Sequence, residues 1–357
     1  MENTEEKYMK RALYLASLAE GKTKTNPMVG CVIVENNEII GEGYHRKYGE
    51  PHAEVNAISS IKQENIRRLT NATLYVTLEP CSHYGKTPPC TDLIIEHHIP
   101  RVVVACKDIY PEVNGKGISI LRAAGITVEV GMLEKESKEL NRRFFCYNQN
   151  SRPYIILKWA QTADGYIDND RLEGSQPTWL TGTACREIVH KMRATESAII
   201  VGSQTVKMDN PSLTVREWSG ENPIRIVIDR KLKLSNNYKI FNKESQTLIV
   251  NEIKSDSTHI KVDFSTIIFI ADFLKELHKR KVCSLIVEGG TKTLNMFIDS
   301  DLYDEAHVFI SPLSLRELQG SVGTDGVKAP LFPVGNWHKT EMVGNIILKK
   351  IVKYDSI

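Results

Sequence analysis

The stretch that most limits what this chain can fold into runs from Pro51 to Cys90. It opens with Pro51-His52-Ala53-Glu54 and closes with Glu79-Pro80-Cys81-Ser82-His83-Tyr84-Gly85-Lys86-Thr87-Pro88-Pro89-Cys90, with one predicted strand between them. The imidazole of His52 and the thiolates of Cys81 and Cys90 make a three-ligand set for Zn2+ that leaves a fourth position for water. An open position marks a catalytic metal rather than a structural one. Zinc lowers the pKa of bound water to about 7 and so supplies a nucleophile at neutral pH.

Two other readings of these residues are a structural zinc site and unrelated buried thiols. A structural site takes four protein ligands, and the nearest spare donor is His83. Glu54 favours catalysis. Two residues beyond His52 and in the first turn of the same predicted helix, it can carry protons to a ring nitrogen and a leaving amine without ligating the metal. His-x-Glu followed by Pro-Cys-x-x-Cys is the pattern of zinc deaminases. The order is kept here, but eight residues rather than two separate the cysteines.

A length of 357 residues exceeds one ordinary core and predicts two domains. No apolar run approaches the ~20 residues needed to span a bilayer, and the acidic N-terminus is no signal peptide, so a cytoplasmic location is expected. The cysteines number seven, an odd and scattered set that argues for reduced thiols rather than a disulfide framework. Basic and acidic residues balance, 46 against 44, and neither half holds the basic excess of a nucleic-acid binder. That weighs against a deaminase acting on a base in RNA. A non-enzymatic zinc-stabilised scaffold would make Glu54 incidental.

Taken in order, residues 4 to 20 predict an amphipathic helix, and 29 to 35 and 38 to 43 a hairpin closed by Asn36-Asn37. A helix over 52–61 and a buried strand over 73–78 follow. Pro89 suits the first turn of a helix that holds Cys90 at its N-terminus, where thiolate is favoured. Strand, helix and strand then repeat over 101–106, 118–124 and 126–130, and a charged helix and connector fill 133–150. The alternation predicts an α/β layered domain with a mixed sheet, ending near Ser151-Arg152-Pro153. The second half restarts with strands over 154–160, 197–202, 224–229, 247–251, 284–288, 306–310 and 346–352, and helices over 272–281 and 291–299. Thr181 or Thr183 can cap a helix running to Met192.

Motifs in the second half are weaker. Glu288-Gly289-Gly290-Thr291 joins a strand to a helix, where backbone N–H groups can receive phosphate; an ordinary tight turn is the other reading. No Gly-x-Gly-x-x-Gly is present, which disfavours a classical dinucleotide fold. Asp209 to Arg216 is a polar loop ending in an arginine that could clamp phosphate, or simply a surface turn. Trp179 could stack on a ring or lie in the core.

Together these motifs resemble the bifunctional riboflavin-biosynthesis deaminase–reductase family, from about residue 7 to the C-terminus. In the first half the resemblance rests on Thr25-Asn26-Pro27-x-Val29-Gly30, Gly43-Tyr44-His45, Gly49-x-Pro51-His52-Ala53-Glu54 and the Glu79–Cys90 run, which also accounts for the long spacer between the cysteines. In the second it rests on Lys158-x-Ala160, Asp164-Gly165, Trp179-Leu180-Thr181, Arg193-Ala194, Gly202-Ser203-x-Thr205-Val206, Asp209-Asn210-Pro211-x-Leu213-Thr214-Val215-Arg216 and Val287-Glu288-Gly289-Gly290. It implies a cytidine-deaminase-like α/β/α layered domain over 1–150 and a dihydrofolate-reductase-like α/β domain over 151–357. It also implies hydrolysis of the 2-amino group of 2,5-diamino-6-(5-phosphoribosylamino)pyrimidin-4-one, then NADPH reduction of the ribosyl to a ribityl chain.

By motif position, the resemblance makes His52, Cys81 and Cys90 the Zn2+ ligands and Glu54 the proton shuttle. Asn26, His83, Lys86 and Thr87 hold the pyrimidine and its ribose phosphate. Ala160, Trp179, Thr205, Asp209, Gly289 and Gly290 match NADPH positions, and Arg193, Leu213, Arg216 and Glu288 match substrate positions. The expected partners are a small phosphoribosylated diaminopyrimidine and further copies of the chain, with no nucleic acid and no membrane. One departure is local. The family has Gly-Glu-Ser-x-Trp before the second helix, whereas Glu173-Gly174-Ser175-Gln176-Pro177-Thr178-Trp179 places Ser175 two positions too far from Trp179, which leaves that serine's role unassigned.

Overall fold

Cys31 and Ile33 alternate with Val32 and Val34, and Leu74 and Val76 with Tyr75, so these strands carry apolar side chains on both faces. Such strands need cover on both sides. A computed structural model of the chain, describing residues 5–84, 88–109, 114–319, 326–332 and 339–353, shows how that cover is supplied. The chain divides into two compact units, residues 1–150 and 151–356.

The first unit runs α1 (Glu6–Ser17), β1 (Gly30–Glu35), β2 (Glu38–Tyr44), α2 (Ala53–Ser59), a 3₁₀ stretch (Gln63–Asn71), β3 (Thr73–Leu78), α3 (Cys90–Glu96), β4 (Arg101–Cys106), α4 (Lys116–Ala123), β5 (Thr127–Val130), α5 (Glu134–Leu140) and α6 (Arg142–Asn150). The strands form one mixed sheet in the order β2-β1-β3-β4-β5. β1 is antiparallel to β2 and β3, and β3, β4 and β5 are parallel. Cys31, Ile33, Leu74, Val76, Val102 and Val104 pack with Ala57, Ile94 and Leu121 of α2, α3 and α4. Val32, Val34, Tyr75 and Val103 pack on the other face with Tyr8, Met9, Ala12 and Leu15 of α1. Three layers result.

Gly30 allows α1 to lie against the sheet. A Cβ there would sit 2.0 Å from the carbonyl oxygen of Ala12. Gly30→Ala is therefore expected to cost about 1–3 kcal/mol by overpacking, read as a lower denaturant midpoint for this unit.

The second unit runs β6 (Tyr154–Gln161), β7 (Tyr166–Asn169), α7 (Thr183–Thr195), β8 (Ala198–Gly202), α8 (Ser203–Asp209), β9 (Ile224–Ile228), a 3₁₀ turn (Lys239–Phe241), β10 (Thr247–Asn251), β11 (His259–Lys261), α9 (Phe269–Lys279), β12 (Ser284–Val287), α10 (Thr291–Asp299), β13 (Glu305–Ile310), α11 (Leu315–Gln319), β14 (Gly326–Lys328), β15 (Lys339–Val343) and β16 (Ile346–Val352). Its main sheet has the order β11-β10-β9-β8-β12-β6-β13-β16-β15, and β7 pairs with β14. The strands from β11 to β13 are parallel, and β16 and β15 add antiparallel edges. Leu157, Ile200, Leu285, Val287 and Val308 pack under Phe273 and Leu277 of α9 and Phe297 of α10. On the other face Ile199, Val201, Val227 and Ile286 pack with Val206 and Leu213, and Phe309 packs with Cys185 of α7.

The chain order switches between β8 and β12, from which successive connections run to opposite edges of the sheet. In open α/β sheets that crevice, at the carboxyl ends of the strands, is where ligands bind.

Several expectations needed correction. Neither Thr181 nor Thr183 caps α7: Gly182 holds the N-cap position with no side-chain cap, and Thr183 is the first helical residue. The Thr183 Oγ1 instead accepts from Arg186 Nη2 at 3.2 Å. Residues 133–150 form two helices, α5 and α6, with a break at Asn141, rather than a helix and a connector. The side chain of Asn141 is drawn out of the helix pattern to clamp Met28, accepting from its N–H at 2.7 Å and donating to its carbonyl at 2.9 Å.

Candidate active sites

His52 is the N-cap residue of α2, in extended backbone conformation, and Glu54 sits in the first turn of that helix. β3 ends at Leu78, and the chain reaches Cys81 through Glu79 and Pro80. Glu79 is buried and fixes this turn, its carboxylate accepting from the N–H groups of Asp108, Gly115 and Ile118 at 3.3, 2.9 and 3.3 Å. Pro89 is the N-cap of α3 and Cys90 its first helical residue. The Cys90 N–H donates to the Cys81 Sγ at 3.3 Å.

These turns bring His52 Nδ1 to 3.5 Å from Cys81 Sγ and 3.4 Å from Cys90 Sγ. Tetrahedral zinc, with Zn–N near 2.0–2.1 Å and Zn–S near 2.3 Å, requires its nitrogen and sulfur donors to lie roughly 3.5 Å apart. The donor set therefore fits zinc, through Nδ1. Among the described residues this is the one group of three or more His, Cys, Asp or Glu donors close enough to share a metal, and no fourth donor belongs to it.

The electrostatics suit the same use. The hydrogen bond from Cys90, with help from His52, holds Cys81 far below the ordinary thiol range, at about 4. The same hydrogen bond, with burial, pushes Cys90 up, contrary to the thiolate expected of it at the α3 N-terminus, so that Cys81 is the thiolate of the metal-free pair. Burial, and then the negative charge of Cys81, push the Glu54 carboxyl up, and Glu54 is only 3% exposed. The triad opens on a cavity of about 360 Å³ whose lining includes Asn26, His45, Glu54, His83, Phe144 and Tyr147. His83 thus reaches the cavity but not the ligand group. Lys86 and Thr87 lie outside the described residues.

In the second unit the buried carboxylate of Glu288, just past β12, anchors a second cluster. Arg193 Nη2 donates to its Oε2 at 3.0 Å, and Lys158 Nζ from β6 lies 3.6 Å from its Oε1. Burial pushes the Glu288 carboxyl up, but Arg193 and Lys158 together outweigh it and hold the group below its ordinary range. Glu288 Oε1 and Arg193 Nε are buried without a hydrogen-bond partner among the described residues. His190 Nδ1 accepts from the backbone N–H of Arg216 at 3.0 Å, and the Arg216 Nη1 donates to Thr214 Oγ1 at 3.3 Å. Burial, followed by the charges of Arg193 and Arg216, pushes the His190 imidazole down, so it stays neutral between them.

Beside this cluster, at the switch in chain order, the turn after β12 meets the start of α8. Gly289 has φ +130, and a Cβ on it would lie 3.3 Å from Thr205 Oγ1. Gly290 donates its N–H to that same oxygen at 3.3 Å and is the N-cap of α10. Bare backbone facing the first turns of two helices, with open space beside Gly290, fits the pyrophosphate of a dinucleotide.

Other expected residues stand apart. Leu213 is 3% exposed, at φ +56, and packs with Val206 and Ile240, so its side chain belongs to the core. Trp179 is 63% exposed, with the Arg186 guanidinium 5.6 Å from its ring centre. Ala160 is half-buried and packs near Cys185. Asp209 is paired with Arg171, which also donates to Asp168 at 2.7 Å and to the Ser175 carbonyl at 2.7 Å. Ser175 turns its hydroxyl to the Leu172 carbonyl at 2.6 Å.

The residues that sequence reasoning left without a role are His45, Asn141, Lys158, Arg171 and His190. Lys158 and His45 stood inside quoted motifs, whereas Asn141, Arg171 and His190 carried no signal of spacing or composition.

Comparisons with known proteins agree with both halves. Residues 2–106 match the family model "Cytidine and deoxycytidylate deaminase zinc-binding region", and residues 153–340 match "RibD C-terminal domain". The riboflavin biosynthesis protein RibD of Aquifex aeolicus is 42% identical over 330 residues, covering 90% of each chain. That of Escherichia coli is 36% identical, covering 86% of this chain and 88% of its own. A crystal structure of a diaminohydroxyphosphoribosylaminopyrimidine deaminase/5-amino-6-(5-phosphoribosylamino)uracil reductase from Thermotoga maritima superposes with a TM-score of 0.84 at 36% identity, covering 97% of this chain and 98% of its own. RibD from Acinetobacter baumannii gives a TM-score of 0.83 at 30% identity, with 98% of each chain covered. With these likenesses running through both units, the chain belongs to the RibD family of bifunctional riboflavin-biosynthesis deaminase–reductases, which use zinc and NADPH.

Proposed function

We propose that residues 1–150 hydrolyse the 2-amino group of 2,5-diamino-6-(5-phosphoribosylamino)pyrimidin-4-one and that residues 151–357 reduce the ribosyl group of the resulting uracil to ribityl. The observation that carries the first half is the His52–Cys81–Cys90 triad, with buried Glu54 beside it on the cavity wall. Zinc, when bound, supplies an activated water, and NADPH supplies hydride. His52, Cys81 and Cys90 hold the metal. Glu54 takes one proton from the attacking water and gives it to the ring nitrogen, then takes the second from the hydroxyl of the tetrahedral adduct and gives it to the departing amine, so that water enters and ammonia leaves. Its raised pKa brings it nearer the range in which one carboxyl serves as both base and acid. Asn26 and His83 hold the pyrimidine, and Lys86 and Thr87 its ribose phosphate.

In the second unit Gly289, Gly290 and Thr205 receive the cofactor pyrophosphate, with Ala160, Trp179 and Asp209 along the same ligand. Leu213 shapes the floor of the substrate site from the core. Glu288 and Arg193, with Lys158, present buried and partly unpaired polar atoms to the opened sugar. Arg216, exposed on its loop, offers the planar fork that suits a phosphate dianion. Arg216→Ala is expected to raise the reductase KM about 10–100-fold, the loss of a charged hydrogen bond, with deamination unchanged. Equal loss of both activities would contradict separate sites.

Reduced thiols and a balanced charge support a cytoplasmic enzyme of small molecules. No helix among the described residues is long and apolar enough to cross a membrane. The direct test supplies purified chain with the diaminopyrimidine ribotide, with and without NADPH. Ammonia should appear in both cases, and nicotinamide absorbance should fall only after it. Silence in either channel would remove that half of the proposal.

A further inference from the structure

His45 is buried on the wall of the deaminase cavity. Its Nδ1 lies 3.2 Å from the carbonyl oxygen of Pro51. A carbonyl can only accept, so Nδ1 carries the ring proton. The other nitrogen, Nε2, lies 3.2 Å from the Asn26 Nδ2. An amide nitrogen can only donate, so Nε2 holds a lone pair toward it and the ring is neutral. In this arrangement the Asn26 amide turns its nitrogen to His45. Its nitrogen is held by His45, and its Oδ1, which takes no hydrogen bond from any described residue, is left open on the cavity lining.

Each end of this relay is itself anchored. The Asn26 N–H donates to the Thr23 carbonyl at 2.9 Å, and Asn141 clamps Met28 on the same loop through two hydrogen bonds. The His45 N–H donates to the Val29 carbonyl at 2.9 Å. Asn56 Nδ2 donates to the carbonyls of Tyr44 and Pro51 at 2.8 and 3.2 Å, holding the oxygen that sets the tautomer. An amide pinned at one end cannot flip to suit a ligand.

We propose that His45 is a positioning residue that locks the Asn26 amide with its oxygen toward the cavity, so that the deaminase unit accepts rings presenting an N–H at that point and rejects rings presenting an acceptor. The inference rests on the deaminase reading and deepens it. An aminopyrimidine with N–H groups along its edge satisfies the Asn26 oxygen. A ring with a bare nitrogen or carbonyl there sets two acceptors against each other in a partly dry site.

The test is a double-mutant cycle on the full-length zinc-loaded chain, with ammonia release from the diaminopyrimidine ribotide as readout. Asn26→Ala and His45→Ala should each raise KM by about 10-fold or more, the cost of one lost hydrogen bond in a buried site. Zinc should stay at its wild-type content and the reductase rate should not change. If His45 acts through Asn26, the double variant should be no worse than Asn26→Ala alone. His45→Gln, whose Oε1 can accept from Asn26, should recover most of the loss. On the unmodified enzyme, 15N spectra of the imidazoles should show His45 with Nδ1 protonated and Nε2 bare. Losses that multiply in the double variant, loss of zinc from His45→Ala, or a proton on Nε2 would each overturn the positioning role. A wild-type chain that releases no ammonia would overturn the deaminase reading and this inference with it, so the two failures are distinguishable.

Discussion

Replacing Glu54 by glutamine should lower ammonia release by 10²–10⁴-fold or more, the usual contribution of a positioned acid–base group, with zinc content and reductase rate unchanged. Glutamine keeps the volume and a hydrogen-bonding oxygen at a position that is 3% exposed, so packing is preserved. What it removes is the ability to take up and release a proton. No carboxylate belongs to the metal-donor group among the described residues, and of the other two acidic residues on the cavity wall, Asp108 and Glu79, the carboxylate of Glu79 is engaged by three backbone N–H groups. A scaffold that merely binds zinc would lose nothing in this variant. Metal analysis by atomic absorption, run beside the ammonia assay, separates loss of chemistry from loss of the ion.

The second large effect is expected at Glu288. Glu288→Gln leaves Arg193 and Lys158 facing each other without the carboxylate that now balances them, at side-chain exposures of 12% and 16%. Removing one partner of a buried ion pair costs about 3–5 kcal/mol because the remaining charge stays desolvated. The second unit should therefore unfold at lower urea, with reduction lost while deamination persists.

The pH dependence follows from the depressed carboxyl. Its stabilising effect is present above the ordinary value of 4.5 and is lost as pH falls through the lower folded value. Wild type should show a component of acid unfolding below about pH 4.5 that the Gln variant lacks. An unchanged acid profile would mean that the pair carries no net stability.

Much of the first unit could be read from the sequence because its signals are local. The strand Thr73–Leu78 and the hairpin around Asn36–Asn37 are set by apolar runs and by a turn whose residues both take positive φ. The metal triad was legible for a similar reason, since its residue types fall in a fixed order along 39 residues of chain. The 3₁₀ stretch Gln63–Asn71 was not, as its only apolar residues are Ile66 and Leu69 and it buries only Leu69. Nor was α8, whose seven residues are too few for a periodic stripe and whose end is set by Asn210 at φ +42. Contacts that depend on distant pairing left the least trace. Asn141 meets Met28 across 113 positions and Arg193 meets Glu288 across 95. Leu213 illustrates the converse, since a residue marked by motif for a ligand turns out to place its side chain in the core.

The central claim is that this chain grips a metal with one imidazole nitrogen and two sulfurs and keeps a corner open beside Glu54. X-ray absorption at the zinc edge of the purified protein tests it most directly. The expected spectrum has two sulfurs at about 2.3 Å, one nitrogen at about 2.0–2.1 Å and one exchangeable oxygen. A fourth protein donor in place of that oxygen, or protein that releases ammonia at full rate with no zinc bound, would contradict it.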